Sequence, residues 1–83
     1  MAINGSTLAS LKRGEKGVIR AVDAEDPHVQ RLMVLGLVEG AELEHTSSAI
    51  GGDPLEFRLF GKGSSLRQEQ ARLFHVALVG AGD

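Results

Sequence analysis

The chain has 83 residues, fewer than the ~100–150 of a typical domain, and reads as one domain spanning 1–83. Nine Lys and Arg against eleven Asp and Glu give a formal net charge of -2, without the basic excess that a general nucleic-acid binder needs. The lack of cysteine excludes disulfides, zinc fingers, thiol catalysis and iron–sulfur ligation, and the length excludes a dinucleotide-binding or barrel enzyme.

No apolar run approaches the ~20 residues of a membrane span. Met1-Ala2-Ile3-Asn4-Gly5 lacks the basic and apolar regions of a secretory signal, so a cytoplasmic location is expected. Eleven glycines beside two prolines imply tight turns between short strands.

Ser6 or Thr7 can cap a single helical turn that sets Leu8 and Leu11 on one side. The turn Lys12–Gly17 follows, then Val18-Ile19-Arg20-Ala21-Val22 as a first strand. Asp26-Pro27 marks a helix start, with Asp26 as the cap and Pro27 at the first position. At about 100° per residue, Val29, Leu32, Met33 and Leu35 share one face, and Gln30, Arg31 and Val34 lie opposite. Gly36 stops this helix, expected over 27–35.

Ala41, Leu43 and His45 alternate with Glu42, Glu44 and Thr46 in a half-buried strand. Gly51-Gly52-Asp53-Pro54 is a hairpin tip or longer loop. Leu55, Phe57 and Leu59 alternate with Glu56, Arg58 and Phe60, and Gly61-Lys62-Gly63 is read as the reversal that follows. A strand begins at Ser64–Arg67, and Gln68–Arg72 forms one helical turn. Phe74, Val76 and Leu78 alternate in a last strand, with a flexible tail over about 80–83. So small a sheet with so little helix does best by closing on itself. The expected fold is mainly β, a small five-stranded SH3-like barrel with one short inserted helix.

His28, His45 and His75 are far apart in sequence and show no helical ligand spacing. Each reads first as a packing or surface residue. A weak divalent site pairing a histidine with Glu42, Glu44 or Glu56 is the sharper alternative. Ser47-Ser48 and Ser64-Ser65 have no nucleophile motif around them. Gly61-Lys62-Gly63-Ser64-Ser65 lacks the spacing of a phosphate loop and reads as a hairpin turn. Gly14-Glu15-Lys16-Gly17-Val18 matches the opening of a KOW-type RNA-binding barrel, but aromatic platforms are missing. Asp23, Glu25 and Asp26 suit the helix dipole.

Four stretches together carry a specific resemblance. They are Leu8-x-x-Leu11-x-x-Gly14-x-x-Gly17-x-Ile19 and Arg31-Leu32-x-x-Leu35-Gly36-Leu37-x-x-Gly40, then Gly52-Asp53-Pro54 followed by Gly61, then Ser65-Leu66-Arg67-x-x-x-Ala71 leading to Val76. In this order they resemble the FeoA family of ferrous iron transport proteins over nearly the whole chain. The segment Ser47-Ser48-Ala49-Ile50 departs from that pattern, where a hydrophobic and proline segment is expected. The resemblance implies an SH3-like barrel and a cytosolic accessory role with the FeoB membrane permease, whose cytosolic part carries a GTPase domain. It implies no enzyme activity and no required cofactor, with weak Fe²⁺ or Zn²⁺ binding as the metal alternative. Related domains also end iron- or manganese-dependent repressors, but this chain shows no helix-turn-helix.

Gly36, Gly40 and Gly61 read as structural turns, and Leu32, Leu35, Leu37, Leu66 and Val76 as core. Arg31 and Arg67 are polar positions within motifs of core and turn residues, so each serves an ion pair or a partner. The expected partner surface is Gln30, Arg31, Val34 and Val38, with Arg67 as a further candidate and the strand edge near Phe60 as a second one, for the partner or for self-association into a homo-oligomer. Protein–protein interaction leads; a metal-sensing domain and a KOW-like RNA-binding barrel are the rival readings.

Overall fold

The computed structural model describes residues 6–79, so the readings of Met1–Gly5 and of the 80–83 tail lie outside the described residues. In chain order it has a 3-10 turn at Leu8–Ser10, β1 (Lys16–Val22), α1 (Pro27–Met33), β2 (Glu42–Ser48), a 3-10 turn at Ile50–Gly52, β3 (Leu55–Leu59), β4 (Lys62–Leu66), α2 (Gln68–Ala71) and β5 (Phe74–Leu78). The five strands form one antiparallel sheet in the order β4-β3-β2-β1-β5.

The period of two places alternate side chains on one face. Leu43 and His45 of β2, Leu55, Phe57 and Leu59 of β3, and Phe74 and Val76 of β5 are all buried. Two bulges interrupt the ladders. The β1–β5 register shifts between Ile19 and Ala21, and the β2–β3 register shifts between His45 and Ser47. Arg20 and Thr46 are the extra residues, and the Thr46 hydroxyl donates to the Glu56 carbonyl at 3.2 Å. Such bulges bend and twist a strand, which lets a small sheet wrap a core of Leu8, Ile19, Val29, Leu37, Leu43, Phe57, Leu66 and Phe74.

The chain's first described residues lie along the outer edge of β5. The Val76 N–H donates to the Ser6 carbonyl at 3.1 Å, and Thr7 bridges His75. The following 3-10 turn is held by Ser10, whose hydroxyl accepts from the Thr7 N–H at 3.0 Å and donates to the Thr7 carbonyl at 2.7 Å. That turn packs against α2. The start of α2 is tied to the β2–β3 loop. The Gln68 N–H donates to Asp53 Oδ1 at 3.0 Å, and Gln68 Nε2 donates to the Gly52 carbonyl at 2.7 Å.

The α1 helix begins as its sequence requires, with the Asp26 carboxylate accepting the His28 N–H at 2.8 Å and Pro27 at the first helical position. Its end differs from the 27–35 expectation. The helix stops at Met33, and the closing bonds run from Gly36 N–H to the Met33 carbonyl (3.0 Å) and from Leu37 N–H to the Leu32 carbonyl (3.3 Å). This is the paired Schellman arrangement, with Gly36 at φ +108° and the buried Leu32 and Leu37 one behind the other.

Helical phase therefore ends before Leu35, which is 67% exposed rather than part of the core. Leu78 likewise lies exposed at the end of β5, beyond the buried positions Phe74 and Val76. The β3–β4 reversal is also displaced. Leu59 pairs with Lys62, so the loop residues are Phe60 and Gly61, and Lys62 and Gly63 already belong to β4. Phe60 is thus a turn residue and not the last position on the polar face of its strand.

Candidate functional site

The β3–β4 loop has positive φ at both central residues, +53° at Phe60 and +78° at Gly61, as a right-twisted two-residue hairpin demands. Glycine takes this geometry freely, whereas phenylalanine adopts it at a cost of order 1–2 kcal/mol. The ring projects outward and is 73% exposed, while one edge covers Gly36. The end of α1 and the hairpin tip are thereby brought together.

The chain between Gly36 and Ala41 completes the surface. The Ala41 N–H donates to the Val38 carbonyl at 3.0 Å, closing a turn with Gly40 at φ +92°. Val38, Glu39, Gly40, Ala41, Glu42 and Phe60 line a shallow hollow of ≈ 570 Å³. A second hollow of ≈ 360 Å³ is lined by Leu35, Leu59, Phe60, Lys62, Gly63 and Ser64. Phe60 is common to both. An exposed aromatic between two aliphatic residues, with acids on one side and a lysine on the other, has the composition of an interface centre with a polar rim.

The expected partner residues do not form one group. Val38 and Phe60 line the same hollow. Val34 is 85% exposed, as its helix face requires. Gln30 is exposed, but its amide donates to the Ala24 carbonyl at 2.9 Å and steadies the loop before α1. Arg31 is exposed in the last turn of α1 and makes no ion pair with another described residue. Arg67 sits apart, at the start of α2. Its guanidinium lies 4.0 Å from the Asp53 carboxylate. Leu35 is the surface residue that helical periodicity conceals, because its spacing continues the buried face of a helix that has already ended.

The three histidines do not converge. His45 is buried, stacked on Phe57 with ring centroids 5.4 Å apart. Its Nδ1 faces the Leu11 carbonyl at 2.9 Å, and its Nε2 faces the Ser47 carbonyl at 3.0 Å and Ser48 Oγ at 2.8 Å. In the tautomer with the proton on Nδ1, the ring donates to the Leu11 carbonyl and Nε2 accepts from the Ser48 hydroxyl. His28 is exposed beside Asp26, with its Nδ1 3.3 Å from the carboxylate. His75 is exposed on β5. Among the described residues no group of three or more His, Asp or Glu could hold a metal ion. The His28 N–H bond to the Asp26 carboxylate is the main reason that this carboxyl titrates below the usual range. The Gly61–Ser65 segment, which shares letters with a phosphate loop, is the hairpin and strand just described.

A five-stranded antiparallel sheet in which β5 returns to pair with β1, with a helix inserted after β1 and a helical turn before β5, places the protein among small SH3-like β-barrels. The chain belongs to the FeoA family, since the FeoA domain profile matches residues 6–78. An FeoA-like protein from Clostridium acetobutylicum is 26% identical with a TM-score of 0.87, over 99% of this chain and 95% of that one. FeoA from Chlorobium tepidum is 38% identical with a TM-score of 0.79, over 93% and 72%. Stenotrophomonas maltophilia FeoA is 28% identical with a TM-score of 0.71, over 86% and 88%. That last protein was solved with zinc and has been proposed as an SH3 domain protein that activates bacterial ferrous iron transport. No curated protein matches the chain.

Proposed function

We propose that this protein is a cytosolic, non-enzymatic accessory factor of ferrous iron uptake that docks on an FeoB-type permease. The docking surface is Leu35, Val38 and Phe60, with Arg31 and Val34 contributing from the end of α1. The observation that carries the reading is Phe60. A bulky apolar ring occupies a turn position that favours glycine or asparagine, and it is left facing solvent. Membership of a family tied to ferrous iron transport supplies the process. No described helix is long and apolar enough to cross a membrane, which suits a factor that reaches the bilayer only through its partner.

The test is a pull-down of the detergent-solubilised full-length permease, with and without guanine nucleotide. Phe60→Glu should retain the wild-type circular dichroism spectrum and lose about tenfold or more in affinity, as expected on removing the centre of an interface. Val34→Glu should weaken binding less. If Phe60→Glu binds as wild type does, the docking surface lies elsewhere.

A further inference from the structure

We propose that the free edge of β4 is a strand-addition site, which takes an extended segment of the partner carrying an apolar side chain close to a carboxylate. The inference rests on the docking reading above and adds how the partner is held and what chemistry it presents.

β4 is the last strand on its side of the sheet, paired only with β3. The two-residue loop makes Leu59 and Lys62 a hydrogen-bonded pair, so Phe57 with Ser64 and Leu55 with Leu66 are hydrogen-bonded pairs too. The intervening Gly63 and Ser65 therefore turn their N–H and C=O groups away from β3. Among the described residues no turn, loop or side chain takes up either N–H. An edge of this kind is a template for another strand.

Two further features favour an added strand here. A Cβ built on Gly63 would meet no atom within 4 Å, and Gly63 is not among the positive-φ glycines. The fold itself thus makes no demand for glycine at this place, whereas close approach of a second backbone would. The hollow lined by Leu35, Leu59 and Phe60 opens beside the same edge, with Lys62, Gly63 and Ser64 on its other side. A strand laid along Gly63 and Ser65 presents alternate side chains to that hollow, which fixes the apolar residue. Lys62 is exposed and makes no ion pair with another described residue, which fixes the carboxylate.

Proline tests the edge selectively, because at positions 63 and 65 the backbone donor it removes points outward and the β3–β4 ladder stays intact. At 65 it also removes the Ser65 hydroxyl bond to Glu56 Oε2 (2.7 Å), for which Ser65→Ala is the control. Gly63→Pro and Ser65→Pro are compared with Phe60→Glu for binding to the detergent-solubilised full-length permease, with circular dichroism and gel filtration on each variant. The expected result is wild-type folding and about a tenfold or greater loss of affinity in either proline variant, with the Gly63 and Ser65 amides protected from hydrogen exchange in the wild-type complex. If Phe60→Glu abolishes binding and a folded proline variant does not, docking stands and strand addition is overturned. If none of the three affects binding, both readings fall. A wild-type dimer that Gly63→Pro converts to monomer would make a second copy of the chain the occupant and overturn the partner proposal.

Discussion

Phe60 sits against the bare backbone of Gly36: a Cβ built on Gly36 would lie 3.1 Å from Cε2 of the ring. One residue closes α1 and the other turns the β3–β4 hairpin, so their contact joins two segments 24 positions apart in sequence (60 less 36). Gly36 is held twice, by its φ of +108° and by the ring above it.

Gly36→Val should therefore destabilise the fold by about 1–3 kcal/mol, since a β-branched residue meets both backbone strain and a clash. Urea unfolding measures the loss. The ring must also move, so the Phe60 aromatic resonances should shift. Unchanged stability would show that the end of α1 adapts without glycine.

Phe60→Asn separates the demands of the turn from those of the surface. Asparagine relieves about 1 kcal/mol of backbone cost, and the lost contacts of a largely exposed ring are worth about the same. The urea midpoint should stay close to wild type while affinity for the permease falls. A clear fall in stability would mean that the ring serves the fold.

Asp26 gives a pH signature. The carboxyl has a lowered pKa in the folded state, chiefly through the His28 N–H, so folding binds fewer protons than the unfolded chain does on the acid side. Its contribution is complete above the ordinary carboxylate range and is lost as pH falls through the lowered value. Asp26→Asn should consequently flatten the acid limb of a Tm-against-pH curve and leave its shape above pH ~6 unchanged. An acid limb identical to wild type would refute the assignment.

His45 joins the N-terminal turn to β2. Replacing it by alanine opens a cavity beside Phe57 and leaves the Leu11 carbonyl without its donor. A loss of about 2–4 kcal/mol in urea unfolding is expected, of which the unpaired polar group accounts for roughly a third to a half. Retention of wild-type stability would mean that water replaces the imidazole.

The strands were legible because alternation is a direct image of the pleat, as at Leu43 and His45 or Leu55, Phe57 and Leu59. The α1 start was equally plain, since Asp26 and Pro27 each satisfy a local requirement of the backbone. What alternation cannot show is where a period stops. Leu35 continues a helical spacing past Met33, and Leu78 continues a strand spacing past the cover of the core. The bulges at Arg20 and Thr46 leave no local mark, because they answer the curvature of the whole sheet. The hairpin was misplaced by three glycine-rich letters. Nothing in a phenylalanine announces positive φ, and that conflict between residue and backbone is what points to Phe60 as a surface residue. Val38 and Phe60, both named from the sequence, line one hollow, while Arg67 and Gln30 turn to intramolecular partners.

The N-terminal residues laid on β5 have a further consequence. Ser6 and Thr7 occupy one rim of the sheet, and among the described residues the β4 rim carries no such cover. A sheet bare at both rims can propagate indefinitely, one molecule joining the next into a filament. A sheet with a single bare rim is a chain terminator: it accepts one strand, and the growing stack ends there. With Ser6 and Thr7 held over Val76 and His75, β4 is the rim that strand addition favours among the described residues, and pairing there gives a two-member complex rather than a filament.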